Sequence, residues 1–295
     1  MNIIMKKTIL FGGSGFFGPI ILKKYPNIIS VGRTKPPKGI KNKHIHIKNL
    51  NNLKKLDKIN FDKVIFLIGS SNHHKINKNI NIGIKYNFDP LIRIMEYLKN
   101  KKIKKFLCFT TILLYQNEKP GSPVSEKNKT NPYNNNYIFS KHLMEEVVNF
   151  YKNSVPSIVV RLNNIYGYTK LKRPDLVPTI MQEVFKKKTI SVWNSKPVRD
   201  FIFAEDAAEA VVKLLNSNYQ GVVNVGSGKS HSVKELTKII SSISGKTIKS
   251  KNIPVKGPYK LITNINLLKK ITKWKTKHSF KEGLTKTYKI MKKFS

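Results

Sequence analysis

Tyr137 and Lys141 are the two ends of Tyr137-Ile138-Phe139-Ser140-Lys141, and on a helix that spacing puts both side chains on one face. A phenol titrates near pH ~10, so it works as a base near neutrality only beside a cation. Lys141 supplies one. Thr111, 26 residues before Tyr137, adds a polar group able to hydrogen-bond a substrate oxygen. Together the three residues read as a device for moving a proton to or from that oxygen. The same Tyr-to-Lys spacing recurs at Tyr97 and Lys101, where no such companion precedes it.

A second chemistry-bearing stretch lies near the start of the chain. The apolar run Thr8 to Phe11 leads directly into Gly12-Gly13-Ser14-Gly15-Phe16-Phe17-Gly18. Gly12, Gly15 and Gly18 there allow a tight turn and a close backbone approach to a pyrophosphate, as in the first strand–loop–helix of a dinucleotide-binding unit. At the end of the next strand, Ser30-Val31-Gly32-Arg33-Thr34, an acid would bind the adenosine ribose, but Arg33 stands in its place. A guanidinium suits a 2′-phosphate, so the expected cofactor is NADP(H) or NAD(H), with Arg33 leaning toward NADP(H).

Apolar runs alternating with helical-period segments position these residues. Candidate strands are Thr8 to Phe11, Ile28 to Val31, His44 to Ile47, Lys63 to Ile68, Lys105 to Thr110 and Ser157 to Leu162, and Phe88 to Lys99 and Asn136 to Tyr151 read as helices. The fold class is α/β: a doubly wound parallel-sheet (Rossmann) domain with a smaller C-terminal α/β substrate-binding domain. The first is expected over 1–165, with the chain returning to it at about 200–226, and the substrate-binding region over 166–295. The rhythm breaks at Arg173-Pro174 and Pro178. It resumes with a helix at Ala204 to Leu215, a strand at Val222 to Val225, and helices at Ser232 to Ser242 and Ser279 to Met291. The Lys/Asn-rich segment Asn72 to Asn87 is low in complexity, and His73-His74 within it read as a polar loop.

Composition narrows the function classes. Lys and Arg number 56 against 16 acids, a net charge of +40, yet only Arg33, Arg93, Arg161, Arg173 and Arg199 are arginines. Lysine interleaved with Asn and Ile reads as compositional drift with much solvated charge. No Arg/aromatic stripe marks a nucleic-acid surface, so nucleic acid is not the expected partner. Cys108 is the only cysteine, which excludes an intrachain disulfide and points to a reducing compartment. Glycines interrupt the apolar N-terminal stretch after Lys6-Lys7, no uncharged run reaches the ~18 residues of a membrane helix, and a cytoplasmic location is expected. Neither His44/His46 nor His73/His74 has a third ligand at useful spacing, so no metal is expected.

With these motifs in order, the chain resembles an extended short-chain dehydrogenase/reductase of the NAD-dependent epimerase/dehydratase family over nearly its whole length. The resemblance rests on the glycine loop, Phe109-Thr110-Thr111-Ile112-Leu113-Leu114-Tyr115, Tyr137 with Lys141, and Arg161-Leu162-Asn163-Asn164-Ile165-Tyr166-Gly167. It extends through Arg199-Asp200-Phe201-Ile202 with Asp206-Ala207-Ala208, and Asn224-Val225-Gly226-Ser227-Gly228. It implies that Tyr137 transfers the proton, that Lys141 lowers its pKa and binds the nicotinamide ribose, and that Thr111 orients the reacting oxygen. It further implies cofactor contacts from Gly12, Gly15, Phe16, Phe17, Gly18, Arg33 and Asn87. Asn164, Arg199 and Arg173 are implied to hold a nucleotide-diphosphate sugar, and a homodimer through Phe88 to Lys99 and Asn136 to Tyr151 is implied as well.

Departures from the family pattern select among its reactions. Ile112-Leu113 stand where sugar dehydratases resemble one another in an Asp-Glu pair, so 4,6-dehydration loses its acid and base. Cys108 lies three positions before Thr111 rather than beside it, which disfavours 3,5-epimerisation. Asn49 and Asn264 replace aspartates common in the family. The expected function is an NAD(P)-dependent nucleotide-sugar epimerase acting at C4. The alternatives are an NADPH-dependent 4-keto-sugar reductase and, outside enzymes, an RNA-binding or scaffold member of the same fold.

Overall fold

The computed structural model describes residues 7–116, 121–255 and 257–294. Met1 to Lys6 lie outside the described residues, as do 117–120, 256 and 295. Along the first half run β1 (Lys7–Phe11), α1 (Gly18–Lys24), β2 (Ile29–Gly32), β3 (His44–His46), β4 (Phe61–Phe66), α2 (His73–Lys78), α3 (Ile80–Gly83), a π turn (Ile84–Phe88), α4 (Asp89–Leu98), β5 (Lys105–Thr111), α5 (Asn136–Phe150) and β6 (Ser157–Leu162). There follow β7 (Asn164–Tyr166), α6 (Leu176–Glu183), β8 (Thr189–Val192), β9 (Val198–Arg199), β10 (Phe201–Phe203), α7 (Ala204–Leu215), β11 (Gly221–Val225), β12 (His231–Ser232), α8 (Val233–Ser244), β13 (Thr247–Ser250), β14 (Lys260–Leu261), α9 (Asn266–Thr272) and α10 (Phe280–Lys292). No helix among the described residues is long and apolar enough to cross a membrane.

Two compact units emerge. The first takes the described residues of 1–114, 130–161 and 208–223, the second those of 115–129, 162–207 and 224–295. The segment 115–129, just after Thr111, groups with the second.

The first unit is built on a seven-stranded sheet of order β11-β6-β5-β4-β1-β2-β3. The pairings from β5 through β3 are parallel. Strands buried on both faces need unbroken apolar runs, which is why β5 reads Lys-Phe-Leu-Cys-Phe-Thr-Thr and is buried at every residue. On one face, Leu91, Ile94, Met95 and Leu98 of α4 and Met144, Val147 and Val148 of α5 pack onto Phe66, Phe106 and Cys108. The order reverses between β1 and β4, and ligands of such sheets sit outside the carboxyl ends of the strands at that reversal. Gly12 after β1, Arg33 after β2, Gly69 after β4 and Thr111 at the end of β5 all lie at that end of the sheet.

Two expectations change here. His73-His74 are not in a loop: the Lys/Asn-rich segment forms α2, α3 and the π turn, with Asn72 and Asn79 side chains accepting from the Lys75 and Asn81 amides. Polar caps, rather than an apolar stripe, hold these short helices. Nor does Pro178 break the chain. It is the third residue of α6, in the first turn, where a backbone N–H has no intrahelical partner to lose.

The second unit has its own core of Tyr166, Ile180, Met181, Val192, Phe201, Phe203, Leu236, Ile240, Phe280 and Leu284. Phe280 is its hub, stacked on Phe201 at 5.3 Å and on His231 at 4.2 Å, with Tyr166 edge-on at 5.8 Å. Arg199 sits on β9, the central strand of the β12-β9-β14 sheet, paired with His231 on one side and Leu261 on the other.

Candidate active site

In the first unit, α5 presents both Tyr137 and Lys141 to the sheet, and both are buried. The helix start is pinned twice: Asn135 Oδ1 accepts the Ile138 amide at 3.0 Å, and Asn77 Oδ1, from α2, accepts the Tyr137 amide at 2.8 Å. Tyr137 shares a small apolar cluster with Ile76, Leu114 and Ile138. Leu114 closes the turn that follows Thr111. Thr111 itself is buried, its Oγ1 accepting the Leu113 amide at 3.2 Å.

Lys141 is enclosed. Its Nζ lies 3.4 Å from the Phe109 carbonyl oxygen and 3.5 Å from Met144 Sδ, and among the described residues no carboxylate touches it. Burial pushes its pKa down to about 8, opposed weakly by the nearby Cys108 thiol. The thiol is pushed up to about 12 by its own burial, so Cys108 stays protonated and packs as a small apolar side chain.

Asn87, fully buried in the π turn, accepts the Ser70 amide on Oδ1 at 2.6 Å and donates Nδ2 to Ser140 Oγ at 3.0 Å. Gly69 shows where the polar tips converge. A Cβ built on it would lie 3.0 Å from Asn87 Oδ1 and 3.7 Å from Lys141 Nζ, so both groups look onto the same spot past the end of β4. Gly83 meets α5 as closely: its Cβ would stand 2.7 Å from Ser140 Cβ, which makes glycine the condition for seating α3 there.

The phosphate loop is equally tight. A Cβ on Gly18 would come within 2.6 Å of the Gly12 carbonyl oxygen, and Gly12 itself has a φ of +89°. Gly15 donates its amide to Gly12 O at 3.2 Å. Phe16 and Phe17 are buried, and Phe17 meets Phe109 edge-on at 6.0 Å, tying the loop to the strand that ends in Thr111. Arg33 is exposed and makes no hydrogen bond or ion pair among the described residues.

The second Tyr-to-Lys pair is spent. Tyr97 Oη donates to Asp57 Oδ1 at 2.8 Å and Lys101 Nζ to the same oxygen at 2.6 Å. Burial and the carboxylate raise the Tyr97 pKa, which holds that phenol protonated. Arg161 is likewise committed. It forks onto the Glu145 carboxylate through Nε at 3.0 Å and Nη2 at 2.6 Å, both side chains being nearly buried, while Thr110 Oγ1 donates to Glu145 at 2.7 Å.

Sequence reasoning set His73 in a polar loop without a role at the site and passed over Asn77. On α2, the His73 ring meets the Tyr137 ring edge-on at 6.2 Å and lies tilted against His74 at 4.1 Å. A histidine in a polar, lysine-rich run carries no periodic signal. Only the folding of that run onto the start of α5 makes it a neighbour of Tyr137.

The second unit holds the residues expected to meet a substrate. Arg199 is half-buried, which lowers its pKa, and its Nη1 donates to the Val198 and Tyr259 carbonyl oxygens at 2.9 and 3.1 Å. Among the described residues no acid pairs with it and no hydrogen bond engages the rest of the guanidinium fork. Neighbouring Asp200 is buried and accepts from Ser227 N, Ser227 Oγ and Gly228 N at 2.8, 2.6 and 3.0 Å, clamping the Gly226-Ser227-Gly228 turn. Burial raises its pKa and those hydrogen bonds oppose the rise. Asn164 is exposed, its Nδ2 donating to Asn163 Oδ1 at 2.8 Å and to Asp200 O at 3.2 Å. Arg173 is paired with Asp175 at 2.6 Å.

Known proteins of like sequence and shape include a Methanocaldococcus jannaschii protein provisionally named a UDP-glucose 4-epimerase, 26% identical over 95% of this chain and 97% of its own length. The ADP-L-glycero-D-manno-heptose-6-epimerase of Brachyspira hyodysenteriae is 26% identical over 80% of each chain. Among solved structures, the UDP-N-acetylglucosamine 4-epimerase of Methanobrevibacter ruminantium superposes with a TM-score of 0.87 at 21% identity, covering 98% of this chain and 99% of that one. The UDP-glucose 4-epimerase of Thermotoga maritima does so with a TM-score of 0.86 at 19% identity, with 98% and 99% covered. At those identities the superpositions establish the shared Rossmann-type fold. The sequence profile of the NAD dependent epimerase/dehydratase family matches residues 8–226, and by that match the chain belongs to this family of enzymes.

Proposed function

We propose that the protein is a nucleotide-sugar epimerase that removes and returns hydrogen at one sugar carbon, C4, of a nucleotide-diphosphate sugar. The observation that carries this reading is the convergence of Asn87 and Lys141 beside Gly69, on the helix face that also presents Tyr137. Among the described residues Lys141 has no carboxylate partner, which leaves it available to ribose hydroxyls and to a developing phenolate. The residues fit a nicotinamide dinucleotide: Gly12 and Gly18 let the loop pack tightly on its own backbone, Gly15 leaves its surface open, and a side chain at Gly69 would crowd Asn87 and Lys141. When bound, that group accepts and returns the hydride.

The rest of the chemistry belongs to the chain. Tyr137 takes the proton of the C4 hydroxyl, Lys141 stabilises the phenolate by its charge, and Thr111 orients the reacting oxygen. Arg199 offers its uncommitted fork to the diphosphate, as planar guanidinium does better than ammonium. Asn164 adds a contact, and Arg173 reaches the same ligand once released from Asp175. Ile112 and Leu113 supply no acid or base for water elimination. Similar proteins that are 4-epimerases of UDP-glucose and UDP-N-acetylglucosamine also support this reading.

Arg33 favours a second reading, an NADPH-dependent reductase of a 4-keto sugar, because an open guanidinium after β2 matches a 2′-phosphate. Solved relatives with NAD bound weigh toward the first reading. We assign the functional unit as a homodimer through α4 and α5, a reading supported by Phe150, which ends α5 with its ring 80% exposed.

Incubation with UDP-glucose, UDP-N-acetylglucosamine and UDP-glucuronic acid, each with catalytic NAD or NADP, tests the proposal. The C4 epimer should accumulate without net cofactor reduction. Stoichiometric NADPH consumption on a 4-keto sugar alone selects the reductase, and inertness toward every substrate removes both.

A further inference from the structure

His44 and His46 alternate along β3, and the parallel register with β2 sets them opposite Ser30 and Gly32. Paired residues of neighbouring strands share a face, so both histidines lie on the face that carries the Ser30 side chain. That face is the floor of the phosphate loop: Ser30 is buried, and a Cβ on Gly13 would collide with its Oγ. His44 is half-buried, its Nδ1 3.1 Å from the same hydroxyl oxygen, and its Nε2 is buried without a hydrogen-bond partner among the described residues.

The surroundings of His44 are cationic. Burial holds its pKa below the ordinary 6.5, the charges of His46 and Lys35 push the same way, and the Gly32 carbonyl opposes them. Among the described residues no acid acts on it. Arg33 and Lys35 are exposed in the loop after β2, and His46 is exposed beside Gly32. A Cβ on Gly32 would meet nothing within 4 Å, so the space over that residue is open. Four side chains able to carry positive charge thus gather about Gly32. A phosphate dianion would balance them, and a nearby anion favours the protonated form of an imidazole. Ser30 suits both states, because its hydroxyl can donate to a neutral Nδ1 or accept from a protonated one.

We propose that His44 takes up a proton from solvent when a dinucleotide carrying a 2′-phosphate binds, so that pH as well as Arg33 sets the choice between NADP(H) and NAD(H). This rests on the glycine loop as a dinucleotide site and on Arg33 as a 2′-phosphate partner, and it adds a titrating residue from the next strand. One proton passes from water or buffer to the ring nitrogen that lacks it, and no covalent bond of the cofactor changes. Because the bound state holds the extra proton, acid strengthens NADP(H) binding through His44 and leaves NAD(H) binding unaltered.

Calorimetric titration of the full-length protein with NADP+ and NAD+, in buffers of different ionisation enthalpy at about pH 6.5, counts the protons. With NADP+, wild type should take up about 0.3 to 0.8 proton more than His44→Gln does, and with NAD+ the two should not differ. From about pH 7.5 to about pH 6, wild type should gain about 3- to 15-fold in NADP+ affinity relative to His44→Gln. The phosphate's own protonation near pH ~6 is common to both proteins and cancels in that ratio. If His44→Gln does not fold, His44→Asn takes its place, and a wild-type preference for NADP+ that fails to grow on acidification overturns the proposal. Equal proton counts in wild type and variant overturn it and leave Arg33 standing. A deficit in His46→Gln alone moves the proton to His46 and overturns it likewise. Equal wild-type affinities for NADP+ and NAD+ remove the 2′-phosphate reading and the proposal with it, whereas binding of neither removes the dinucleotide site itself.

Discussion

Asn87 Nδ2 donates to Ser140 Oγ at 3.0 Å, and that hydroxyl donates onward to the Tyr137 carbonyl oxygen at 2.8 Å. A neutral relay therefore ties the π turn to the helix face that carries the phenol and the ammonium. The Asn87 amide is satisfied at both ends inside the protein, so its orientation is fixed before any ligand arrives. Among the described residues no acid takes part, so the charge on Lys141 is left without a carboxylate to neutralise it.

Tyr137→Phe keeps the ring in its cluster with Ile76, Leu114 and Ile138 and deletes only the hydroxyl. The expected result is a fall in turnover of about 10²- to 10⁴-fold with folding and cofactor binding retained. Turnover within a few-fold of wild type on a verified substrate would sink the assignment of Tyr137 as base.

Lys141 trades stability for chemistry. Burial holds its pKa at about 8 against an ordinary value of 10.5, so between those values the unfolded chain binds more protons and this residue makes stability rise with pH. Below that window the buried charge costs on the order of 3 kcal/mol. Lys141→Met should be inactive yet more stable than wild type at pH 7, with the gap closing as pH rises through the window. Urea unfolding at several pH values reads both; a variant less stable at pH 7 contradicts the burial argument.

For Arg199, charge alone should not suffice. Arg199→Lys preserves the cation but not the fork, so apparent affinity for UDP-sugars should fall while thermal stability barely moves. Unchanged affinity in calorimetry would make Arg199 a purely structural tie between Val198 and Tyr259.

Arg33 offers the cofactor test. With an exposed guanidinium after β2, NADP(H) should bind more tightly than NAD(H) by about 10- to 150-fold, the worth of a charge-assisted contact of ~1.5–3 kcal/mol. Arg33→Ala should erase most of that preference at fixed salt. Equal wild-type affinities would point to an NAD-retaining epimerase, and a preference surviving in the variant would move the phosphate contact to Lys35 or Lys38.

The sheet of the first unit was legible because strands buried on both faces must be continuous apolar runs, and β1, β5 and β6 announce themselves that way. β7, β9, β10, β12 and β14 did not, being two or three residues long and held by partners distant in sequence. Tyr137 and Lys141 could be paired from their spacing, and Tyr97 with Lys101 looks the same in one dimension. Only Asp57, brought beside both by the fold, separates the two pairs. The role of α2 was hidden for a similar reason: its helix rests on asparagine caps and one buried isoleucine, Ile76, in a run that otherwise resembles linker.

The π turn at Ile84–Phe88 makes the site sensitive to chain length as well as to the identity of Asn87. Each residue advances an α-helix by ~100°, so dropping one residue between Gly83 and Asn87 would swing the amide away from Ser70 and Ser140 while leaving every remaining side chain chemically unaltered. Pro90, immediately downstream, has no N–H with which to re-form the lost turn. Chains built on this plan are thus free to vary the turn's residues other than Asn87 but not their number, and single-codon deletions there should be far more damaging than substitutions at its other positions.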